Sequence, residues 1–264
     1  MKQRIVTGLI GGAVFIGLTL LGGWYFYGLL LLLAIIGFSE FLRMNGFGPN
    51  HPASLIGYAG MLVVLIPWDE LGLSFSSSLP IVWLVMFLLL AVTVVTKNRM
   101  TIDGAAFVLL GILYVGYGFH TMYVVRSADS HGLLTTLMAF GSIWASDVGA
   151  YFAGRAIGRH KLWPSISPNK TIEGSLGGIV LAVAVAALFS LSAPGVIGIG
   201  RALLIGLAAA VAGQFGDLIQ SAYKRVRGIK DTGAILPGHG GVLDRCDSWL
   251  AVFPLLVMTG LLPL

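Results

Sequence analysis

Residues 24–41 read Trp24-Tyr25-Phe26-Tyr27-Gly28-Leu29-Leu30-Leu31-Leu32-Leu33-Ala34-Ile35-Ile36-Gly37-Phe38-Ser39-Glu40-Phe41. A run this long and apolar approaches the roughly 20 residues that an α-helix needs to cross a hydrocarbon core. Runs of the same kind fall near 4–22, 54–68, 80–96, 104–125, 132–156, 174–192, 202–223 and 247–264, so nine helical spans are predicted. The third is short, and Gly22-Gly23-Trp24 leaves only a turn between the first two. Composition agrees: 57% of the 264 residues are hydrophobic, 10% are charged, and the mean hydropathy is +0.92. A soluble domain carries about a quarter charged residues, and no polar shell of this size would hide so much apolar surface. The expected fold is all-α, a polytopic integral membrane protein. The start, Met1-Lys2-Gln3-Arg4 before an apolar run, mimics a secretory signal. Gly22-Gly23-Trp24 is not a small-x-small cleavage site, so an uncleaved first helix is expected. The single cysteine, Cys246, excludes an internal disulfide framework.

Orientation follows from Lys and Arg in the loops, because cytoplasmic loops carry the excess of basic residues. With the N-terminus inside, Lys2, Arg4, Arg43, Lys97, Arg99, Arg155, Arg159, Lys161, Lys170, Lys224, Arg225, Arg227, Lys230 and Arg245 lie on the cytoplasmic side. Only Arg126 and Arg201, of 16 basic residues, lie on the other. Dropping one span scrambles this split. The expectation is therefore nine spans, N-in and C-out, in the cytoplasmic (inner) membrane. Composition also divides the chain. Residues 1–140 read as lipid-facing helices that serve as scaffold or dimerisation surface, and 141–264 as a catalytic membrane domain, because ionisable residues enter the helices from Ser142 onward. There is no internal repeat and no soluble domain.

The densest polar chemistry surrounds the end of the eighth run. Gln214, Asp217, Ser221 and Lys224 are spaced 3, 4 and 3 apart and share one helix face. An aspartate within a span is costly unless it meets a cavity, a cation or a partner. Lys230-Asp231-Thr232-Gly233 and Pro237-Gly238-His239-Gly240-Gly241 follow, then Asp244-Arg245-Cys246-Asp247 at the start of the last run. Asp244 and Asp247 share a face, and such carboxylates suit Mg²⁺, which takes one or two of them plus substrate phosphates. Glycines permit close backbone approach, and successive amides form an anion nest. Taken singly, Asp217 is also satisfied by pairing with Lys224 or Arg225, the basic run by membrane anchoring, and His239 by a turn.

A second cluster ends the sixth run, where Asp147, Tyr151 and Arg155 recur every four residues. Pro164 and Pro168 shape a rigid loop that runs through Ser167-Pro168-Asn169-Lys170 into a helix start at Thr171, a good N-cap, with Glu173 in the first turn. Helix N-termini with nearby Lys and hydroxyl groups bind phosphate. The bland alternative for this cluster is a cap and an interfacial anchor. His120 reads as a packed histidine and Tyr223 as interfacial packing.

With these residues in view, the chain resembles the phosphatidate cytidylyltransferase (CDP-diacylglycerol synthase) family. The pattern Ser221-x2-Lys224-Arg225-x4-Lys230-Asp231-x-Gly233-x3-Pro237-Gly238-His239-Gly240-Gly241-x2-Asp244-Arg245-x-Asp247 is similar to that family's signature throughout. Asp147-x-Gly149-Ala150-Tyr151 through Ser167-Pro168-x-Lys170-Thr171-x-Glu173-Gly174 resembles its second block. Together they cover about 142–248, and the first 140 residues match only in hydropathy and length. Val148 stands where the family often has a hydroxyl residue, and Tyr223 where Phe or an aliphatic residue is commoner.

The resemblance implies a nucleotidyltransferase for phospholipid biosynthesis, joining CTP and phosphatidate into CDP-diacylglycerol and pyrophosphate with Mg²⁺, a second metal ion being left open. Asp217 and Asp244 are the expected metal ligands, with Asp247 and Asp231 behind them. Lys224, Arg225, Lys230 and Arg245 would neutralise phosphates, and His239 would bond a phosphate or organise the glycine turn. Ser167, Asn169, Lys170, Ser221, Gly240, Gly241 and Asp147 complete the expected substrate contacts. The partners implied are CTP, the lipid substrate and the bilayer, with no nucleic acid and with a homodimer open. The competing expectations are another CTP-using membrane enzyme, such as an ether-lipid cytidylyltransferase or a polyprenol kinase, and an ion-coupled transporter. The aspartate spacing of CDP-alcohol phosphotransferases is absent.

Overall fold

The computed structural model describes residues 2–73, 79–128, 130–233 and 240–263, with side chains from Gly8 onward. Helices occupy every predicted run: α1 (Lys2–Leu21), α2 (Gly23–Met44), α3 (Pro52–Leu65), α4 (Leu79–Val95), α5 (Ile102–Gly111), α6 (Gly118–Ser127), α7 (Gly132–Ile157), α8 (Ile172–Ser192), α9 (Ile199–Val226) and α10 (Leu243–Met258). A π-helical turn, Ile112–Tyr117, joins α5 and α6 into one rod. Among the described residues, five rods are long and apolar enough to cross a membrane: Gly23–Met44, Ile102–Ser127, Gly132–Ile157, Ile172–Ser192 and Ile199–Val226. Shorter apolar helices fill Gly8–Leu21, Pro52–Leu65 and Leu79–Val95. The class is thus a helical membrane protein.

One element departs from the expected loop. Lys161–Trp163 (β1) and Ser167–Thr171 (β2) form an antiparallel hairpin, closed where the Ile166 amide donates to the Trp163 carbonyl at 3.1 Å. A two-stranded ribbon leaves outer backbone groups free, so Pro168, which lacks an N–H, is tolerated in β2. The cap is as expected: Thr171 Oγ1 accepts from the Gly174 amide at 3.1 Å and starts α8.

Lipid tails give helices no hydrophobic drive to associate, so close van der Waals packing between small residues has to supply it. The tightest seam joins α7 and α8. A Cβ added at Gly149 would lie 2.7 Å from the Gly177 carbonyl, and one at Gly178 would lie 2.7 Å from the Ser146 carbonyl. The small-residue stretch Gly174–Gly178 therefore packs within the chain. Gly111 and Gly118, flanking the π turn, admit the Phe41 ring and the Leu250 side chain, which a Cβ would meet at 2.6 and 2.5 Å.

Fully buried Phe26, Leu30 and Phe38 (α2), Met61 (α3), Phe119 (α6), Phe140 (α7) and Phe253 (α10) form one core. An aromatic knot runs through it beneath the polar end: Phe140 lies 5.0 Å from Phe15, 5.0 Å from Trp249 and 4.8 Å from Phe253.

Candidate active site

The C-terminal half of α7, the hairpin, the N-terminus of α8, the second half of α9 and the start of α10 converge on one cavity of about 1170 Å³. The polar stripe of α9 forms as the 3–4–3 spacing predicts. Gln214, Asp217 and Lys224 face the cavity, and the Ser221 hydroxyl donates to Asp217 Oδ1 at 3.1 Å. Gln214 ties three helices together: it accepts from the Ser175 hydroxyl and donates to Ser146 Oγ and to the Ser175 carbonyl, each at 3.2 Å. On α7, Asp147, Tyr151 and Arg155 line the same cavity, with Arg155 donating to the Tyr151 hydroxyl at 3.3 Å. The hairpin delivers Asn169 and Lys170. Behind them Glu173 accepts from the Arg159 and His160 amides at 3.1 and 3.2 Å, which pins the hairpin to α8.

Two lysine–carboxylate pairs dominate the electrostatics. Lys170 Nζ lies 2.5 Å from Asp217 Oδ2, and Lys224 Nζ lies 2.6 Å from Asp244 Oδ1. The pairs differ in solvation. The Asp244 side chain is 4% exposed, whereas that of Asp217 is 37% exposed. The second Asp244 oxygen accepts from the Thr232 amide (2.8 Å), the Thr232 hydroxyl (3.0 Å) and the Gly241 amide (2.9 Å). Asp247, held by its own bond from the Ser248 amide at 2.7 Å, repels Asp217 and Asp147 across the cavity. Asp231 and Arg245 complete the charged wall.

The cavity also has an apolar lining. It comprises Gly8, Gly11, Gly12, Val14 and Phe15 of α1, Leu29 and Leu33 of α2, and the two tryptophans Trp144 and Trp249. No other atom comes within 4 Å of a Cβ built at Gly11 or Gly12, so that face of α1 is smooth and open.

A model of the cytidylyltransferase family matches residues 2–262. The chain belongs to the cytidylyltransferase family. Among its relatives, the phosphatidate cytidylyltransferase of Bacillus subtilis is 42% identical over 258 residues, covering 97% of this chain and 96% of that one. The enzymes of the same name from Staphylococcus saprophyticus and Staphylococcus haemolyticus are 41% and 39% identical over 256 residues, with 97% coverage of both chains in each case.

Of the site residues expected in this cytidylyltransferase, Asp147, Asn169, Lys170, Asp217, Lys224, Asp231, Asp244, Arg245 and Asp247 meet at the cavity. Ser221 supports it through Asp217. Others stand apart from the lining. Ser167 sits in β2, Lys230 is exposed, and Arg225 Nε points to the Ile166 carbonyl at 3.4 Å, bracing the hairpin turn. The expected anion nest at Gly240–Gly241 is already filled from within the protein, since the Gly241 amide bonds Asp244 and Glu40 Oε2 lies only 2.4 Å from a Cβ built there. His239, Pro237 and Gly238 lie outside the described residues. Val148 is exposed and outside the lining, so the missing hydroxyl there removes no cavity group. Tyr223 stacks on Phe41 with 5.5 Å between ring centroids and accepts from Asn45, as packing requires.

The donor set fits Mg²⁺. Asp217 and Asp244 each already hold a cation against one oxygen, and Asp147, Asp217 and Asp247 repel one another until positive charge separates them. Among the described residues no group of three or more Asp, Glu, His or Cys side chains is placed to hold a metal ion by itself. An open site of this kind matches an ion that keeps waters and shares its shell with substrate phosphates. Sequence reasoning missed Glu40 and Thr232, which stand behind Asp244. The signal for Glu40 was present: one carboxylate inside an otherwise apolar run.

Proposed function

We propose that this chain is a Mg²⁺-dependent phosphatidate cytidylyltransferase, which makes CDP-diacylglycerol and pyrophosphate from CTP and phosphatidate for phospholipid synthesis. The observation that carries this is the mixed lining of a single cavity. Charged groups from α7, the hairpin, α9 and α10 share the cavity with an apolar lining from α1 and α2, which suits a nucleotide triphosphate meeting a lipid phosphate.

The nucleophile belongs to the substrate. A phosphate monoester has a second pKa near about 6, so the phosphatidate headgroup is largely dianionic at neutral pH and needs no strong general base. One of its oxygens forms a bond to the α-phosphorus of CTP, the bond from that phosphorus to the bridging oxygen of the β-phosphate breaks, and pyrophosphate leaves. The barrier is the approach of anion to anion, so positioning and positive charge do most of the work. Lys170, Lys224 and Arg245 supply that charge at the cavity, while Arg225 and Lys230 add to the attractive field from outside it. Asp217 and Asp244 would hold the metal, with Asp247 and Asp231 as supporting carboxylates. The ion, when bound, neutralises phosphate charge and polarises the reacting phosphoryl group. Lys170 and Lys224 pair with these two carboxylates, and both are long enough that they would also reach a substrate phosphate. Asn169 and Asp147 would contact substrate, and His239 a phosphate or the glycine turn.

In this scheme residues 141–264 carry the chemistry, and 1–140 supply the scaffold and the lipid-facing wall. Nine spans with N-in and C-out place the cavity toward the cytoplasm, where CTP is. Two contacts support that alternation. Arg126, at the end of α6, donates to the Thr19 and Leu20 carbonyls at 2.8 and 3.1 Å, and Arg201, at the start of α9, donates to the Leu261 and Gly260 carbonyls at 2.9 and 3.0 Å. The ends that the topology assigns to the outer face thus meet in pairs. The glycines of α7 and α8 are used within the chain, so a homodimer would use another face.

The test is pyrophosphate release by purified protein in detergent or vesicles. Release is expected with CTP, phosphatidate and Mg²⁺ together, and none when CDP replaces CTP or diacylglycerol replaces phosphatidate. Equal turnover with a polyprenol or an ether lipid as acceptor would shift the assignment to another CTP-using membrane enzyme.

A further inference from the structure

We propose that Glu40, on the second apolar helix, is a positioning residue for cytidylyl transfer. The inference rests on the site described above and adds to it a group from the N-terminal half. The Glu40 side chain belongs to a residue only 2% exposed, and among the described residues no lysine, arginine or histidine pairs with it. A buried carboxylate without a cation must have its lone pairs satisfied by hydrogen bonds. Three donors do this. Oε1 accepts from the Val242 amide at 3.0 Å, while Oε2 accepts from the Leu243 amide at 3.0 Å and lies 2.9 Å from the Thr232 hydroxyl.

These donors are not scattered. Val242 and Leu243 begin α10, whose first amides have no partner within the helix and carry the positive end of its dipole. No side chain of α10 caps them, and the carboxylate from α2 takes that place. Thr232 closes the circuit to the site. Its hydroxyl stands between Glu40 and Asp244, bonding one at a time, and its amide holds Asp244 at 2.8 Å. Asp244 in turn holds Lys224. A run of contacts thus extends from Glu40 to the cavity without any Glu40 atom lining it.

Two glycines of the signature gain a physical purpose. A Cβ at Gly233 would lie 2.4, 2.9 and 3.2 Å from Oε1, Cδ and Cγ of Glu40, and its three nearest neighbours are all Glu40 atoms. A Cβ at Gly241 would lie 2.2 Å from the Thr232 hydroxyl and 2.4 Å from Glu40 Oε2. Glycine at both positions makes room for the protein's own carboxylate. That carboxylate fixes where α10 begins and where Asp244 points.

The experiment uses full-length detergent-solubilised enzyme. Glu40→Gln keeps the shape but sets an NH2 donor against one of the two backbone N–H groups and removes the charge. Its kcat should fall roughly 10- to 100-fold, the size seen when a group orienting a metal ligand is lost. Half-saturation by Mg²⁺ should move to higher concentration, a shift that a purely structural role would not produce. Wild-type kcat and Mg²⁺ response in Glu40→Gln would overturn the proposal. Gly233→Ala provides an independent measure, since its backbone is not left-handed and the three atoms nearest the added methyl all belong to Glu40. It should lose at least about tenfold in kcat by the same displacement of the carboxylate. In a Glu40→Ala background the same methyl should cost little further. A harmless Gly233→Ala, or a cost unchanged by Glu40→Ala, counts against the proposal. Asp217→Asn run alongside separates the two levels. If it stays active, the site itself is misassigned; if it is inactive while Glu40→Gln is wild-type, only Glu40 is.

Discussion

The two ends of the helix bundle use charge in opposite ways. At one end, Arg126 donates two hydrogen bonds to the Thr19 and Leu20 carbonyls in the last turn of α1, and Arg201 donates two to the Gly260 and Leu261 carbonyls just past the end of α10. These carbonyls sit in or just beyond the last turn of a helix, where the dipole is negative, so the arginines fasten the helix ends and are saturated by doing so. At the other end, Lys170 and Lys224 pair with carboxylates on different elements in the wall of a cavity of about 1170 Å³. A charge bonded to backbone has nothing that a ligand would improve on. A lysine bonded to a carboxylate next to a cavity can exchange that partner for a phosphate, and the carboxylate can exchange it for a metal ion. The difference separates charge that builds the fold from charge available for chemistry.

The strongest way to break this comparison is at Asp217. Asp217→Asn should lower kcat on the order of 10²- to 10³-fold, as removal of one preorganised electrostatic group does at other active sites. Steady-state pyrophosphate release over a Mg²⁺ titration measures it, and near-wild-type turnover would remove Asp217 from the metal site. The next largest effect distinguishes the two lysines. Lys224→Met leaves Asp244, whose side chain is 4% exposed, buried without its cation, and breaking a buried pair costs about 3–5 kcal/mol. It should lose both activity and thermal stability. Lys170→Met leaves Asp217 largely able to find water, so activity should drop while the unfolding midpoint stays near wild type. Equal destabilisation by both would mean that Lys170 is a fold residue. The smallest effect belongs to the far end. Arg126→Gln and Arg201→Gln should each cost about 1 kcal/mol of stability, the worth of a cation at a helix C-terminus, with kcat within about twofold of wild type. A large loss of turnover in either would erase the contrast between the two ends.

Much of this was readable from residue order. The nine apolar runs predicted helices, and helices fill them, because length and hydropathy alone decide whether a backbone must satisfy its own polar groups in lipid. The stripe Gln214, Asp217, Ser221, Lys224 was legible because helical periodicity is local. So was the Thr171 cap, which needs only three residues of chain. The hairpin at 161–171 was not, since its pairing depends on Glu173 gathering the Arg159 and His160 amides. Arg225 was placed with the phosphate-binding groups by its position in the motif. Its side chain instead points to the hairpin, because neighbours on a helix face different directions and no motif spacing says what lies on each side.

By itself the sequence determined the class of fold, the location of the helices and the set of charged residues that chemistry could use. These are consequences of composition and short-range periodicity, which act within a few residues. Tertiary structure alone decided how the runs meet. It paired Lys170 with Asp217 across 47 positions, and it drew the smooth glycine face of α1 into the cavity wall. It also brought Glu40 from the second helix to the start of the last, some 200 residues away. A buried carboxylate has to find its donors wherever packing delivers them, and no local pattern records which distant amides those will be.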